Sequence, residues 1–377
     1  MSARRDVAIY SPGSNAFYED PGAGPASGPR GGGRELQMAL LARSLAEAGL
    51  EVVHIVWSVG PRAATIGPAP TLVERAAYEG DRPAGRLREA RQIWRAMRRA
   101  NARAYVFRGG GPQLTVAALF CRLHQRRLVF SAAIDLDFDL ARPDRSRSHL
   151  APYAWALRRA DAIVVQSEQQ GELARRLGLG PITLIPSFAE PAEPGGEPRG
   201  FLWIGRLVTY KRPLDYLDLA RAVPEASFRM IYQLEPELPA DRELAERLPA
   251  LAGELPNLEL LGQLPRERTL AEVAGATAVV STSAAEGMPN VFLEAWARGV
   301  PVLSLDYDPD GRIESEGLGI AAGASADAFA EGARRLWGDR ALRDRLGTAG
   351  RDYVKRIHSP PAVARRWVEL LRGLERD

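Results

Sequence analysis

Hydrophobic positions along the chain recur at two periods. Short runs rich in β-branched residues, DVAIY (6–10), EVVHIV (51–56), AYVF (104–107), RLVF (127–130) and AIVV (162–165), predict buried strands. Between them lie longer stretches such as RELQMALLARSLAEAG (34–49), whose apolar residues return every three to four positions and predict helices. Apolar strands alternating with helices imply parallel sheets covered on both faces. The alternation stops at 186–200, PSFAEPAEPGGEPRG, where four prolines and three glycines read as a linker. It restarts with FLWIG (201–205), a helix from about Pro213, SFRMIY (227–232), a helix near 241–252, LELLG (258–262), a short helix near 268–275, AVVS (278–281), a helix ending by Gly299, and PVLSL (301–305). A last helix near 361–375 carries Val363, Trp367 and Leu370 or Leu371 on one stripe, which requires a cover. The pattern is that of two successive α/β domains joined by a Pro-rich hinge, with a site expected in the cleft between them. No repeat of solenoid period is visible.

Length and composition fit this picture. A chain of 377 residues exceeds what one ordinary core supports, and 46% hydrophobic residues suffice for two. No apolar run approaches the roughly 18 residues of a membrane span. The start, MSARRDVAIYSP, lacks the apolar core of a secretory signal, so a cytoplasmic address is expected. The one cysteine, Cys121, excludes an internal disulfide and a multi-cysteine zinc site, and its apolar setting reads as a buried thiol. Net charge is +3 but uneven: residues 1–185 hold 26 Arg against 17 acids, whereas the remainder holds 24 Lys+Arg against 30 acids. Such asymmetry suggests a charged partner for the first half. The only lysines are Lys211 and Lys355, so arginine abundance alone is weak evidence for anion binding.

The candidate chemistry lies in the second half. In FLWIGRLVTYKRP a strand ends at Gly205, Arg206 and Lys211 follow in the loop, and Pro213 stands where a helix begins. Two cations beside a helix N-terminus suit a diphosphate, because free N–H groups and the helix dipole already attract anions. The alternative is a pair of solvated loop cations. Further on, EGMPNVFLE places Glu286 and Gly287 in a turn after a strand, Pro289 in the first helical turn and Glu294 between one and two turns inside. Gly287 permits close backbone approach, and the amides near Met288 to Val291 are unpaired donors. The two acids then need not face each other; the turn between them forms a phosphate seat.

The order and spacing of Gly205, Arg206, Lys211, Pro213, Glu286, Gly287, Glu294, Ala295, Ala297, Gly299, Pro301 and Val302 resemble the donor-binding half of the retaining GT-B glycosyltransferases of family 4. GGGRELQMALLARSLAEAGLEVVHIV resembles the glycine-rich acceptor loop, first helix and second strand of that family, and the tail from Tyr353 resembles its crossing helix. The resemblance implies two Rossmann-like domains facing across a cleft: an acceptor domain at 1–185 with 355–377 crossing back, a linker at 186–200 and a nucleotide-sugar domain at 201–354. It implies that Arg206 and Lys211 neutralise the donor diphosphate, that Glu294 holds the ribose hydroxyls and that Glu286 contacts the transferred sugar. The amides of Gly287, Met288, Pro289-flanking backbone and Asn290 would assist, Leu261 to Leu264 would lie at the nucleobase, and Gly31, Gly32 and Gly33 would close near donor phosphate or acceptor. The activity implied is metal-independent, retaining transfer from a nucleotide-diphosphate-sugar to a glycan, lipid-linked or small-molecule acceptor, with no cofactor beyond the donor. The alternatives are a GT-B sugar-nucleotide 2-epimerase and a non-catalytic sugar-nucleotide-binding partner of a glycosylation complex.

Some features depart from that pattern. Many relatives carry a histidine after the strand represented by VFSAAIDLDFD, but the histidines here are at 54, 124, 149 and 358. Asp135 or Asp137 is expected to take its place, orienting the acceptor or stabilising charge; the alternative is that Asp135, Asp137 and Asp139 cap loops. DLD and DFD match a short metal-diphosphate pattern, yet the Arg/Lys pair already supplies the charge, so no metal is expected. The loop 13–33 is a poor dinucleotide fingerprint, since its glycines stand far from the strand, and it reads as a flap or as disorder. Residues 86–103, RLREARQIWRAMRRANAR, form a basic helix with Leu87, Trp94 and Met97 on one side. Either it packs as an ordinary amphipathic helix or it touches anionic lipid at the inner face of the membrane. Nucleic acid is not an expected partner.

Overall fold

The computed structural model describes residues 4–17, 32–57, 63–66, 71–76, 83–140, 147–234, 239–284 and 286–375. Contacts divide the chain into two units, Met1–Phe188 with Pro360–Asp377, and Ala189–Ser359.

The first unit is built on an eight-stranded sheet. Its strands are β1 (Arg5–Tyr10), β2 (Val52–Trp57), β3 (Ala63–Ile66), β4 (Thr71–Ala76), β5 (Ala102–Arg108), β6 (Arg127–Ser131), β7 (Ala162–Val165) and β8 (Ile182–Leu184), in the order β3-β4-β2-β1-β5-β6-β7-β8. Only β3 and β4 pair antiparallel; every other pair is parallel. β1 lies inside the sheet and Val7, Ala8 and Ile9 are wholly buried, as a strand covered on both faces requires. The Trp367 stripe finds its cover here. Helix Pro360–Gly373 returns to pack on helix Gly33–Glu47, and Val363, Ala364, Trp367 and Leu371 share one core with Leu36, Met38, Leu41 and Leu45. Gln37 clamps the end of the unit, donating from Nε2 to the Phe188 carbonyl (2.8 Å) and accepting from the Phe188 amide (2.7 Å).

The basic helix spans Pro83–Ala100. Ile93, Ala96 and Met97 are buried and Trp94 packs on the same core, whereas Leu87 is 69% exposed, so Leu87, Trp94 and Met97 do not form one buried stripe. Of the loop 13–33, residues 18–31 lie outside the described residues. Among the described residues no helix is long and apolar enough to cross a membrane.

The second unit carries six parallel strands, β9 (Phe201–Arg206), β10 (Phe228–Gln233), β11 (Leu258–Gly262), β12 (Ala278–Ser281), β13 (Val302–Ser304) and β14 (Gly319–Ala321), in the order β11-β10-β9-β12-β13-β14. β9 pairs with β10 on one side and β12 on the other, so the strand order reverses at its edge. The Pro-rich segment after Phe188 is bonded into this unit: Ala189 N–H donates to His358 O, Gly195 to Arg298 O and Arg199 to Gly275 O. Its prolines remove donors, but these three amides find carbonyls in the body of the unit.

Trp367 is 2% exposed, and truncating a buried Trp costs about 3–5 kcal/mol. Trp367→Ala is therefore expected to lower unfolding free energy by about that amount in denaturant titration; a loss below about 1 kcal/mol would show that the returning helix is not part of the core.

Candidate active site

The second unit assembles its polar cluster where β9 leaves the middle of the sheet, the usual ligand position in an open α/β fold. Gly205 is fixed by crowding: a Cβ there would stand 2.9 Å from Cη2 of Trp203. After Arg206 the chain makes one tight turn, Thr209–Lys211, held because Asp241 Oδ1 accepts from the Thr209 amide (2.8 Å) and hydroxyl (2.6 Å). Arg212 takes a left-handed conformation (φ 50°), and Pro213 opens helix Pro213–Ala222.

Tyr210 joins the two cations. Its hydroxyl accepts from Arg206 Nη2 (2.7 Å), its ring lies 5.7 Å from Lys211 Nζ, and its carbonyl accepts from the Ala284 amide (3.1 Å). The Lys211 carbonyl accepts from Thr282 Oγ1 (2.7 Å), which in turn accepts from Trp203 Nε1 (3.0 Å). Lys211 Nζ meets Glu286 Oε1, with both side chains largely buried.

The turn behind Glu286 is held by Tyr307, whose hydroxyl donates to the Gly287 carbonyl (2.7 Å). Pro289 precedes the helix as its cap, with φ −63° and ψ 123°, rather than lying in the first turn; the helix is Asn290–Ala297. The Phe292 and Leu293 amides both reach the Pro289 carbonyl (3.1 and 3.4 Å). Glu294, the fifth helical residue, pairs with Arg266 at 2.9 Å. Met288, Phe292 and Leu293 are buried in one cluster, against which Leu264 packs.

Thus Arg206, Lys211, Glu286 and Gly287 come together, and Glu294 stands one turn into the adjoining helix. Tyr210, Thr282, Tyr307 and Arg266 were not singled out by the sequence reasoning. Only Tyr210, flanked by the two cations, carried a local signal; the others act through long-range contacts that no spacing records.

In the first unit Asp137 is buried, and its carboxylate accepts from the amides of Gly110 (2.8 Å), Ala133 (2.7 Å) and Ile134 (3.2 Å). That is a loop-cap geometry; Asp135, the other candidate, is half-buried at the start of the same turn. Asp139 is exposed. Arg108, at the end of β5, was not anticipated; burial pushes its guanidinium down to about 10, opposed by the nearby Asp137. Gly32 caps helix Gly33–Glu47 and donates its amide to Glu35 Oε2 (3.1 Å), while Gly33 is the first helical residue.

Two Rossmann-like domains, the second with an Arg/Lys cluster beside a helix N-terminus, define the GT-B class of glycosyltransferases. Residues 198–339 match the family Glycosyl transferases group 1 and residues 32–187 match the Glycosyl transferase 4-like domain. The chain belongs to the group 1 glycosyltransferases and is a glycosyltransferase. It is similar to sucrose-phosphate synthase from Thermosynechococcus elongatus at 19% identity, covering 99% of this chain and 100% of that one with a TM-score of 0.77. Anabaena HepE in complex with UDP-glucose is 14% identical, with 97% and 99% covered and a TM-score of 0.73. The E. coli trehalose-6-phosphate structure bound with UDP-2-fluoro glucose is 13% identical, with 97% and 98% covered and a TM-score of 0.71. At such identities these likenesses speak for the fold.

Gly205→Ala places a methyl against the Trp203 ring and pushes the indole off Thr282. It is expected to cost about 1–3 kcal/mol, seen as a lower Tm; an unchanged Tm would mean that the indole is not held as described.

Proposed function

We propose that this chain is a retaining, metal-independent glycosyltransferase that moves a sugar from a nucleotide-diphosphate-sugar to an acceptor held by the first domain. The observation that carries this reading is the joining of Arg206 and Lys211 through Tyr210, beside Glu286 and the start of helix Asn290–Ala297. The donor diphosphate is the leaving group. Arg206 and Lys211 neutralise the charge that grows on it as the sugar–phosphate bond breaks, and the helix tip adds its dipole. Donors fixed in advance stabilise such charge by about 3 kcal/mol each where they have been removed singly.

Lys211 is matched by Glu286. A diphosphate offers Lys211 two negative oxygens in place of one carboxylate, which leaves Glu286 to accept a hydroxyl of the transferred sugar. Glu294, one turn along the helix and paired with Arg266, accepts the ribose hydroxyls. Leu264 and its neighbours border the nucleobase. HepE binds UDP-glucose and the E. coli structure holds UDP-2-fluoro glucose, which supports this donor class.

The charge seat makes a metal unnecessary, and the DLD sequence favours the same reading, since both oxygens of Asp137 already accept backbone amides. Asp135 is the acidic group assigned to the acceptor, which is a glycan, a lipid-linked sugar or a small molecule. The address is cytoplasmic, with peripheral contact of 86–103 at an anionic membrane as part of the reading.

Arg206→Ala or Lys211→Ala removes a charge-assisted contact of about 1.5–3 kcal/mol, roughly ten- to a hundredfold in donor binding or kcat/KM. Tyr210→Phe, which leaves Arg206 without its hydroxyl acceptor, is expected to lose less. The same assay run in EDTA is expected to keep the wild-type rate and to give a product with the donor's anomeric configuration by proton NMR. Wild-type kinetics in both cation variants would contradict the seat, and a rate abolished by EDTA and restored only by a divalent ion would contradict metal independence.

A further inference from the structure

The positive excess of the first half is concentrated in one segment. Residues 87–127 contain ten arginines against a single acid, Glu89. Some of these arginines are engaged: Arg103 pairs with Glu375, Arg127 with Asp161, and Arg126 donates to Asn101. Arg91, Arg95, Arg98 and Arg122 are exposed and have no acidic partner among the described residues. Glu89 is itself occupied, accepting from Gln113 Nε2 at 3.0 Å.

Helices Pro83–Ala100 and Gln113–His124 lie side by side. The Gln113–Glu89 bond ties them at one end, and Trp94 meets Phe120 (5.1 Å) and His124 (5.6 Å) edge-on further along. Arg91, Arg95 and Arg98 fall on successive turns of the first helix, while Leu119 and Leu123 share a ridge of the second with Arg122 between them. Among the described residues four large hydrophobic side chains are exposed, and three belong to these helices: Leu87 (69%), Leu119 (45%) and Leu123 (63%). The helices have no freedom to turn those leucines inward, because Ile93, Ala96, Met97, Ala117, Ala118 and Phe120 already fill the core beneath.

We propose that this two-helix face docks on an anionic lipid bilayer. Leucine tips enter the boundary between headgroups and acyl chains, and the arginines without acidic partners meet the lipid phosphates around them. A nucleic acid would match the charge but has no use for the leucines, and a single strand would call for exposed aromatic platforms instead. The proposal rests on the membrane part of the proposed function and extends it to a second helix; it is independent of the donor reading, which concerns a different unit and a different ligand.

The test is co-sedimentation of the full chain with phosphatidylcholine vesicles, with and without phosphatidylglycerol. The wild type is expected in the pellet only with phosphatidylglycerol. Each arginine near such a surface is worth about fivefold in partition, so Arg91→Glu, Arg95→Glu and Arg98→Glu together are expected to weaken binding well over tenfold. Leu119→Ser with Leu123→Ser keeps every charge and is expected to weaken vesicle binding about tenfold or more, with Tm and binding to a DNA duplex unchanged. A wild type that stays in the supernatant with phosphatidylglycerol vesicles would overturn the proposal. So would a leucine double variant that sediments like the wild type, since the face would then be a general polyanion binder.

Discussion

The second domain depends on how Lys211 is held at both ends. Its carbonyl accepts from Thr282, which lies just past β12, and its ammonium meets Glu286, in the turn before helix Asn290–Ala297. One residue thus ties the loop after β9 to the loop after β12, the two strand ends that flank the middle of the sheet. Trp203 supports the tie from below by donating to Thr282, and Gly205 leaves room for its indole. Tyr210 supports it from the side and brings Arg206 to the same place. Without these contacts two loop cations would wander in solvent, where each costs little and organises nothing.

The pairing also constrains what can bind beside it. Lys211 and Glu286 are 19% and 11% exposed, so each needs a partner. Removing one partner of a fully buried pair costs about 3–5 kcal/mol, and less where, as here, some water reaches the site. A neutral ligand has little to offer Lys211 in exchange for Glu286. On the proposed reading, a diphosphate would bring more charge than the carboxylate and would leave that carboxylate to hydroxyl groups. On that reading, recognition of the leaving group and recognition of the sugar would be coupled through one ion pair.

Much of the fold was legible because buried parallel strands write unbroken apolar runs. DVAIY, EVVHIV, AYVF, RLVF and AIVV each lie within a strand or within a residue of one, as do FLWIG, SFRMIY, LELLG and AVVS. The strands β3, β4, β8 and β14 were not singled out. β8 and β14 are three-residue edge strands, too short to show a period, and β3 and β4 form the antiparallel edge beyond β2. The Pro-rich segment after Phe188 read as a linker from composition alone; its bonds to Arg298, Gly275 and His358 come from residues about 75 to 170 positions away. In the site, Arg206, Lys211 and Glu286 were legible because strand ends, glycines and prolines mark the loops that hold them. Tyr307, Thr282 and Arg266 were not, since their roles arise only once distant loops meet. The three amides on Asp137, which give it a loop-cap geometry, were equally invisible.

The most direct measurement is a crystal structure with a nucleoside diphosphate chosen from UDP, GDP, ADP and TDP by the largest rise in melting temperature. The two phosphates are expected against Arg206 and Lys211 at the start of helix Asn290–Ala297, with Glu286 released from Lys211. A nucleotide bound elsewhere, or an Arg206 side chain turned into bulk water beside an unbroken Lys211–Glu286 pair, would contradict it.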